Sequence, residues 1–311
     1  MTSATISRGS LAAAPGTTLR KAKDRLATTV IYGCFLLALV PLVWLLWTVL
    51  SRGLAGILGS GWFTSSQRGV TYRESGGGAL HAIVGTLQQV ALCTVISVPI
   101  ALLVAIYLVE YGRGPLARAT TFMVDILTGI PSIVAALFIY AVFVTTLSGQ
   151  RAGWLVSLAL VMLMIPVVVR TTEEMLRLVP DELREASYAL GVPKWKTIVK
   201  IVLPTAMSGI MTGIVLGVAR VAGETAPLLV LVGYSPNDNN NLFSGPQGSL
   251  PGMIKDQFGN LGSTTILRGG QKVSVHYAAD RMWAAALTLI LLVMALNLLA
   301  RLIASRSKVS S

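Results

Sequence analysis

Residues Glu185 to Pro204 read Glu-Ala-Ser-Tyr-Ala-Leu-Gly-Val-Pro-Lys-Trp-Lys-Thr-Ile-Val-Lys-Ile-Val-Leu-Pro, a polar stretch broken by Gly191 and Pro193 and set between two long apolar runs. Backbone polar groups in lipid must be satisfied within their own segment, so a stretch interrupted in this way has to lie in water. Pro180 interrupts the preceding run and Asp181 is the expected cap. Glu182 to Leu190 are expected to form a two-turn helix, closed by Gly191 and then Pro193. On that helix Ala186 and Ala189 present small side chains three positions apart, which lets a partner approach closely. Glu185 offers a charge to a partner cation, and Gly191 supplies the positive backbone torsion that turns the chain toward the next apolar run.

Composition excludes a soluble globular protein. Hydrophobic residues make up 54% of the 311 and charged residues only 12%, with a mean hydropathy of +0.72; a soluble domain carries about 25% charged residues. An apolar run of about 20 residues spans the hydrocarbon layer as a helix. Six spans are predicted: Thr28 to Leu50, Ala79 to Val109, Thr120 to Leu147, Trp154 to Val169, Met207 to Val232, and Met282 to Ile303. The first is too long for a secretory signal and lacks a cleavage pattern, so it is expected to remain as an anchor over 28–50, behind a basic tail over 1–27. The expectation is thus an all-α integral membrane protein.

Basic residues collect on one side of this six-span arrangement, and that side is expected to be the cytoplasm, with both termini there. Arg8, Arg20, Lys21, Lys23, Arg25, Arg113, Arg118, Arg177, Arg184, Lys194, Lys196, Lys200, Arg301, Arg306 and Lys308 fall on it. The opposite side holds roughly half as many. The net charge of +12 therefore reads as topology and not as nucleic-acid binding. Cys34 and Cys93 lie inside spans and are expected to be free core residues. His81 and His276 show no ligand-type spacing, so no metal site is expected. No phosphate-cradling G-x-x-x-x-G-K-[ST] loop and no catalytic triad set occurs in the chain, so the energy for any pumping has to come from a partner.

Charges inside apolar runs mark the candidate path. A charge at bilayer depth costs about 3 kcal/mol, so it is kept for pairing, water contact or transport. Arg220 and Glu224 stand i, i+4 in the fifth predicted span. Gly209, Gly213, Gly217, Arg220 and Glu224 fall on one helical sector, which places Arg220 near the midplane if the helix starts close to Met207. The pair reads either as a packing ion pair or as a cationic point in an anion path moderated by Glu224. Arg170 stands where the fourth span leaves the membrane and reads equally as a snorkelling residue or a path residue. Asp125, a turn or two inside the third span, needs a basic partner, and Arg170 is the candidate. Two long segments on the far side, 51–78 and 233–281, are rich in Gly, Pro and Asn, and Leu250 to Phe258 within the second are expected to form a short amphipathic helix at the membrane surface.

The spacing Glu-Ala-Ser, three residues, Gly191, nine residues, Ile201, one residue, Leu203-Pro204 resembles the ATPase-docking loop of ABC importer permeases, with Ser187 where that family carries Ala. Arg170-Thr171-Thr172-Glu173-Glu174, Gly129-Ile130-Pro131-Ser132-Ile133-Val134 and Ala219-Arg220-Val221-Ala222-Gly223-Glu224-Thr225-Ala226-Pro227 resemble the corresponding blocks of the permease subunits of phosphate ABC importers, the PstA family. The resemblance implies a type I importer permease fold over 79–304, with a coupling loop over 180–204. It implies a docking role for Glu185, Ala186, Ser187 and Gly191, and a substrate-path role for Arg220, Glu224 and Arg170. It further implies a PstC-like second permease, a PstB-like ATPase dimer that binds ATP and Mg, and a PstS-like phosphate-binding protein. No cofactor is implied in this chain. The guanidinium of Arg220 suits an oxyanion better than a cation or sugar.

Overall fold

Proline and glycine positions set where the long helices start, bend and stop. A computed structural model describes residues 17–268 and 271–306, so residues 1–16 of the expected basic tail lie outside the described residues. The chain divides into two units, Met1–Leu50 and Ser51–Ser311. Helix α1, Thr17–Ile57, runs across that boundary, so the last part of the expected tail is helical. Within the first unit its large apolar side chains, Leu37, Trp44 and Trp47 among them, are exposed, an arrangement stable in a hydrocarbon layer and not in water.

The second unit is built from short helices threaded between longer ones. Helix α2 (Leu80–Ile106) runs on through a π-helical turn, Tyr107–Tyr111. Helix α3 (Gly114–Gly129) is followed by α4 (Ser132–Ile139), which continues into a π turn, Tyr140–Thr146. Helix α5 (Gly153–Arg177) precedes α6 (Asp181–Ala189). The single turn α7 (Lys194–Thr197), a π turn (Ile198–Val202) and α8 (Leu203–Ala222) form one continuous rod, followed by α9 (Ala226–Leu231). Helix α10 (Leu250–Gly259), the antiparallel strands β1 (Thr264–Arg268) and β2 (Gln271–Val275), and α11 (Tyr277–Arg306) complete it. Among the described residues five helices are long and apolar enough to cross a membrane, and the α3–α4 pair makes a sixth if counted as one bent span.

That bent pair corrects the straight third span expected over Thr120 to Leu147. The axes of Gly114–Gly129 and Ser132–Thr146 differ by 105°. Pro131 has no N–H to donate and pushes Ile130 into an extended conformation, φ −70° and ψ 124°. The fifth span also shifts: the rod begins at Lys194, directly after Pro193, and ends at Ala222, where the expected span ran from Met207 to Val232.

Helix α5 is the hub. Leu155, Met164 and Leu176 on it are fully buried, and it packs against α2, α3, α4, α8 and α9. Its approach to α8 is set by a glycine stripe on that helix. A Cβ added at Gly209 would stand 2.1 Å from Met175 Sδ, one at Gly213 2.1 Å from Thr171 Oγ1, and one at Gly217 3.2 Å from Val168 Cγ2. The two helices thus run antiparallel in near backbone contact, the geometry small residues permit between membrane helices.

At the end away from α6, the Gly-, Pro- and Asn-rich segments are tied together by a buried polar mesh. Trp62 donates its indole N–H to Thr288 Oγ1 at 2.9 Å. Tyr234 donates to Gln67 Oε1 at 3.2 Å, and Gln257 Nε2 donates to the same oxygen at 3.0 Å. Burial raises the Asp256 carboxyl above its ordinary pKa. Helix α10 is the one expected over Leu250 to Phe258, capped by Ser249 Oγ, which accepts from Gly252 N. It is two-sided: Leu250, Met253 and Gln257 are buried where it packs on α11 and α2, while Lys255 and Phe258 are exposed.

Candidate coupling loop and anion path

The polar insert forms the predicted helix, with its start one position early. Asp181 is the first helical residue and caps nothing; its carboxylate accepts instead from Arg184 Nη1 at 3.1 Å. The far end closes as the sequence requires. Gly191 takes φ +74°, its N–H bonds to Tyr188 O at 2.9 Å, and Val192 N bonds to Ser187 O at 3.2 Å. These two bonds are the Schellman closure, which satisfies the last carbonyls of a helix through a left-handed residue.

Helix α6 has two unlike sides. Glu182, Glu185, Ala186 and Ala189 are exposed, continuing into Leu190 (82% exposed) and Trp195 (62%). Glu185 has no partner among the described residues. Three positions apart on the opposite side, Arg184 and Ser187 turn inward. Ser187, expected among the docking residues, is buried, and its Oγ lies 2.8 Å from Thr197 Oγ1. Its small hydroxyl ties α6 to α7, which leaves Glu185 and Ala186 as the outward-facing members of the motif.

Gly191 gives a clean test of this geometry. No atom lies within 4 Å of a Cβ built there, so a substitution is strained by its torsion alone, at about 1–2 kcal/mol for a β-branched residue. Gly191→Val is expected to leave insertion intact and reduce binding of a partner that reads the loop, while Gly191→Asn, which tolerates the left-handed region, retains it. Pull-down of the ATPase that the loop's resemblance implies distinguishes them; equal retention by both variants contradicts the assignment.

A second cluster joins α3 to α5. Arg170 pairs with Asp125 and, at 2.9 Å, with Glu173, while Arg177 pairs with Glu173 at 2.7 Å. Sequence reasoning anticipated the Asp125 partner from the cost of an unpaired carboxylate in a span. It missed Glu173, a 7%-exposed residue that bridges two arginines on its own helix. Arg170 is therefore charge-satisfied, and the cluster braces the first half of the bent helix against the hub.

Arg220 and Glu224 are placed otherwise than expected. Because α8 ends at Ala222 with Gly223 as its cap, Glu224 lies in the break before α9 and the i, i+4 relation is lost. No ion pair joins them, and Arg220 has no side-chain partner among the described residues. Arg220 occupies the last turn of the rod and not its middle, about two turns beyond Gly213, which faces Thr171 next to Arg170. Structure therefore separates Arg220 from Arg170. Arg220 is exposed and Glu224 half-buried, although Gly213 and Gly217 on the same side of the rod are buried against α5. Among the described residues no group of three or more His, Cys, Asp or Glu side chains could hold a metal ion.

The model of the binding-protein-dependent transport system inner membrane component family matches residues 97–309. The phosphate transport system permease protein PstA 1 of Mycobacterium tuberculosis is 53% identical over 289 residues, covering 93% of this chain and 90% of that one. The chain belongs to the PstA family. The PstA protein of Yersinia pestis is 38% identical over 290 residues, 93% of this chain and 92% of that one. Among solved structures, a chain of a bacterial alginate ABC transporter superposes with a TM-score of 0.62 at 14% identity, covering 93% of this chain and 97% of that one. A chain of the MetNI methionine ABC transporter gives 0.54 at 20% identity, over 74% and 94%. These two likenesses show the fold, that of a type I ABC importer permease. In this PstA-family chain, α6 with its Schellman turn and outward Glu185 and Ala186 occupies the stretch that carries the docking-loop spacing. The unpaired Arg220 stands at the break between α8 and α9.

Proposed function

We propose that this chain is one permease subunit of an ATP-driven importer that moves inorganic phosphate across the cytoplasmic membrane. Its PstA relatives are named for phosphate transport and match it over nine-tenths of its length. The observation that carries the substrate reading is Arg220: a guanidinium exposed on a membrane chain, with no ion-pair partner among the described residues. A charge so placed is costly against lipid and is stable against water, a facing subunit or an anion. Its planar fork fits a tetrahedral oxyanion, and Glu224, in the break that follows the same helix, supplies the opposite charge that lets the anion be released and not trapped. Arg170, held by two carboxylates, acts as a brace and contributes no free charge to the path.

Energy enters at α6. The basic residues flanking it put this end in the cytoplasm under the positive-inside rule. Its outward side then docks on one copy of an ATPase dimer that binds ATP and Mg. A second, PstC-like permease completes the path, and a PstS-like binding protein delivers phosphate at the far side. Selectivity tests the substrate reading. With radiolabelled phosphate and the reconstituted complex, excess unlabelled phosphate is expected to abolish labelled uptake while sulfate and molybdate leave it intact; competition by sulfate or molybdate at equal concentration would reassign the substrate.

A further inference from the structure

We infer that Glu110 and Arg184, seconded by Lys194, form the joint through which movement of the docking loop reaches helix α2. The inference rests on the transport reading above and adds positioning residues that the docking motif does not contain. Helix α6 is joined by the chain itself to α5 on one side and to the α7–α8 rod on the other. Helix α2 has no such link. Its end is held across 74 residues by Arg184 and across 84 by Lys194.

The grip is specific. Arg184 Nε and Nη2 both donate to Glu110 Oε1, at 3.2 and 3.0 Å. The remaining N–H groups go to Leu176 O at 3.0 Å, Val179 O at 2.6 Å and Asp181 Oδ1 at 3.1 Å. All five guanidinium donors are thereby used, and one side chain ties together the ends of α2 and α5 and the first turn of α6. The pair is enclosed, with the Arg184 side chain 12% exposed and that of Glu110 5%, so it is not screened as a surface pair is. From the other flank of the loop, Lys194 Nζ donates to the Glu110 carbonyl and lies 4.8 Å from the centre of the Tyr111 ring. That carbonyl belongs to the π turn closing α2, where chain-end carbonyls lack helical partners and attract cations.

Without this joint a displacement of α6 would be passed directly to α5 and the rod, and would reach the end of α2 only through side-chain packing against α5. With it, the three elements move as one body. The test uses the assembled complex of both permeases, ATPase and binding protein in proteoliposomes, read as inorganic phosphate moved per ATP hydrolysed. In Glu110→Gln and in Arg184→Lys, which keeps charge but not the five-donor fork, the ATPase is expected to co-purify and hydrolyse ATP while phosphate moved per ATP falls about tenfold, within the range that breaking a coupling contact produces. A second variant, Glu110→Cys with Arg184→Cys in a Cys34→Ser, Cys93→Ser background, is expected to be uncoupled as purified and recoupled when a short bismaleimide bridges the two thiols.

An unchanged ratio in Glu110→Gln would overturn the inference. So would failure of the ATPase to co-purify with any of these variants, because the pair would then only hold the loop's fold, and so would a bridged double variant that stays uncoupled. If the wild-type complex itself fails to move phosphate, the substrate reading falls alone; the ratio is then read with whichever of sulfate or molybdate the wild type does move.

Discussion

Arg220→Gln is expected to reduce phosphate uptake about ten- to a hundredfold, the loss that follows removal of a charged hydrogen bond, while insertion, assembly and ATPase binding persist. Glutamine keeps a polar group of similar reach and removes the charge. Had Arg220 been locked to Glu224, the same change would have stranded a buried carboxylate at about 3–5 kcal/mol and impaired folding. The geometry removes that outcome. The helix ends at Ala222, Glu224 lies beyond it, and the guanidinium has no partner to lose among the described residues. The double variant Arg220→Gln, Glu224→Gln is accordingly expected to be as inactive as the single one. Recovery of uptake in the double variant would return the two residues to a packing pair.

Gly213→Leu is expected to separate α8 from α5 and to lower the yield and the thermal midpoint of the purified complex. A Cβ at this position would stand 2.1 Å from Thr171 Oγ1 and 2.6 Å from its Cβ. Rotation of the hydroxyl relieves the first contact but not the second, which is fixed to the α5 backbone. Thr171 Oγ1 is also held, donating to Val167 O at 2.9 Å. Overpacking of this kind costs about 1–3 kcal/mol, and the shift is shared with the contacts at Gly209 and Gly217. Gly33→Leu on α1, where no atom lies within 4 Å, serves as the control and is expected to behave as wild type. A complex carrying Gly213→Leu that melts with the control would contradict the tight α5–α8 contact.

Hydropathy made five of the six expected spans legible as single long helices, because a run long enough to cross lipid has few other uses. It left their direction hidden: Pro131 was visible within an apolar run, but composition does not report the 105° bend that a missing N–H and an extended Ile130 produce together. The start of the rod was hidden for the opposite reason. Lys194, Lys196 and Lys200 read as loop, although Pro193 directly before them is a helix-start signal, and the rod runs through them to Ala222. Helix α6 and its glycine closure were legible because caps are local chemistry. Asp125 with Arg170 was legible from the cost of a lone carboxylate. The hairpin of β1 and β2 carried a sequence signal, β-branched runs on either side of a Gly pair, that the apolar pattern overshadowed. The Glu110–Arg184 joint left no local signal, since its partners are 74 residues apart and pair only once α2, α5 and α6 are in place.

The central claim, a phosphate permease driven through α6, is tested most directly by reconstituting this chain with its second permease, ATPase and binding protein in proteoliposomes and measuring ATP-dependent accumulation of radiolabelled phosphate. Accumulation against a gradient is expected to require ATP, the binding protein and this chain together, and to be lost when Glu185 on the exposed side of α6 is replaced by lysine. Phosphate movement that proceeds without ATP or the ATPase would make the chain a channel or exchanger and contradict the account.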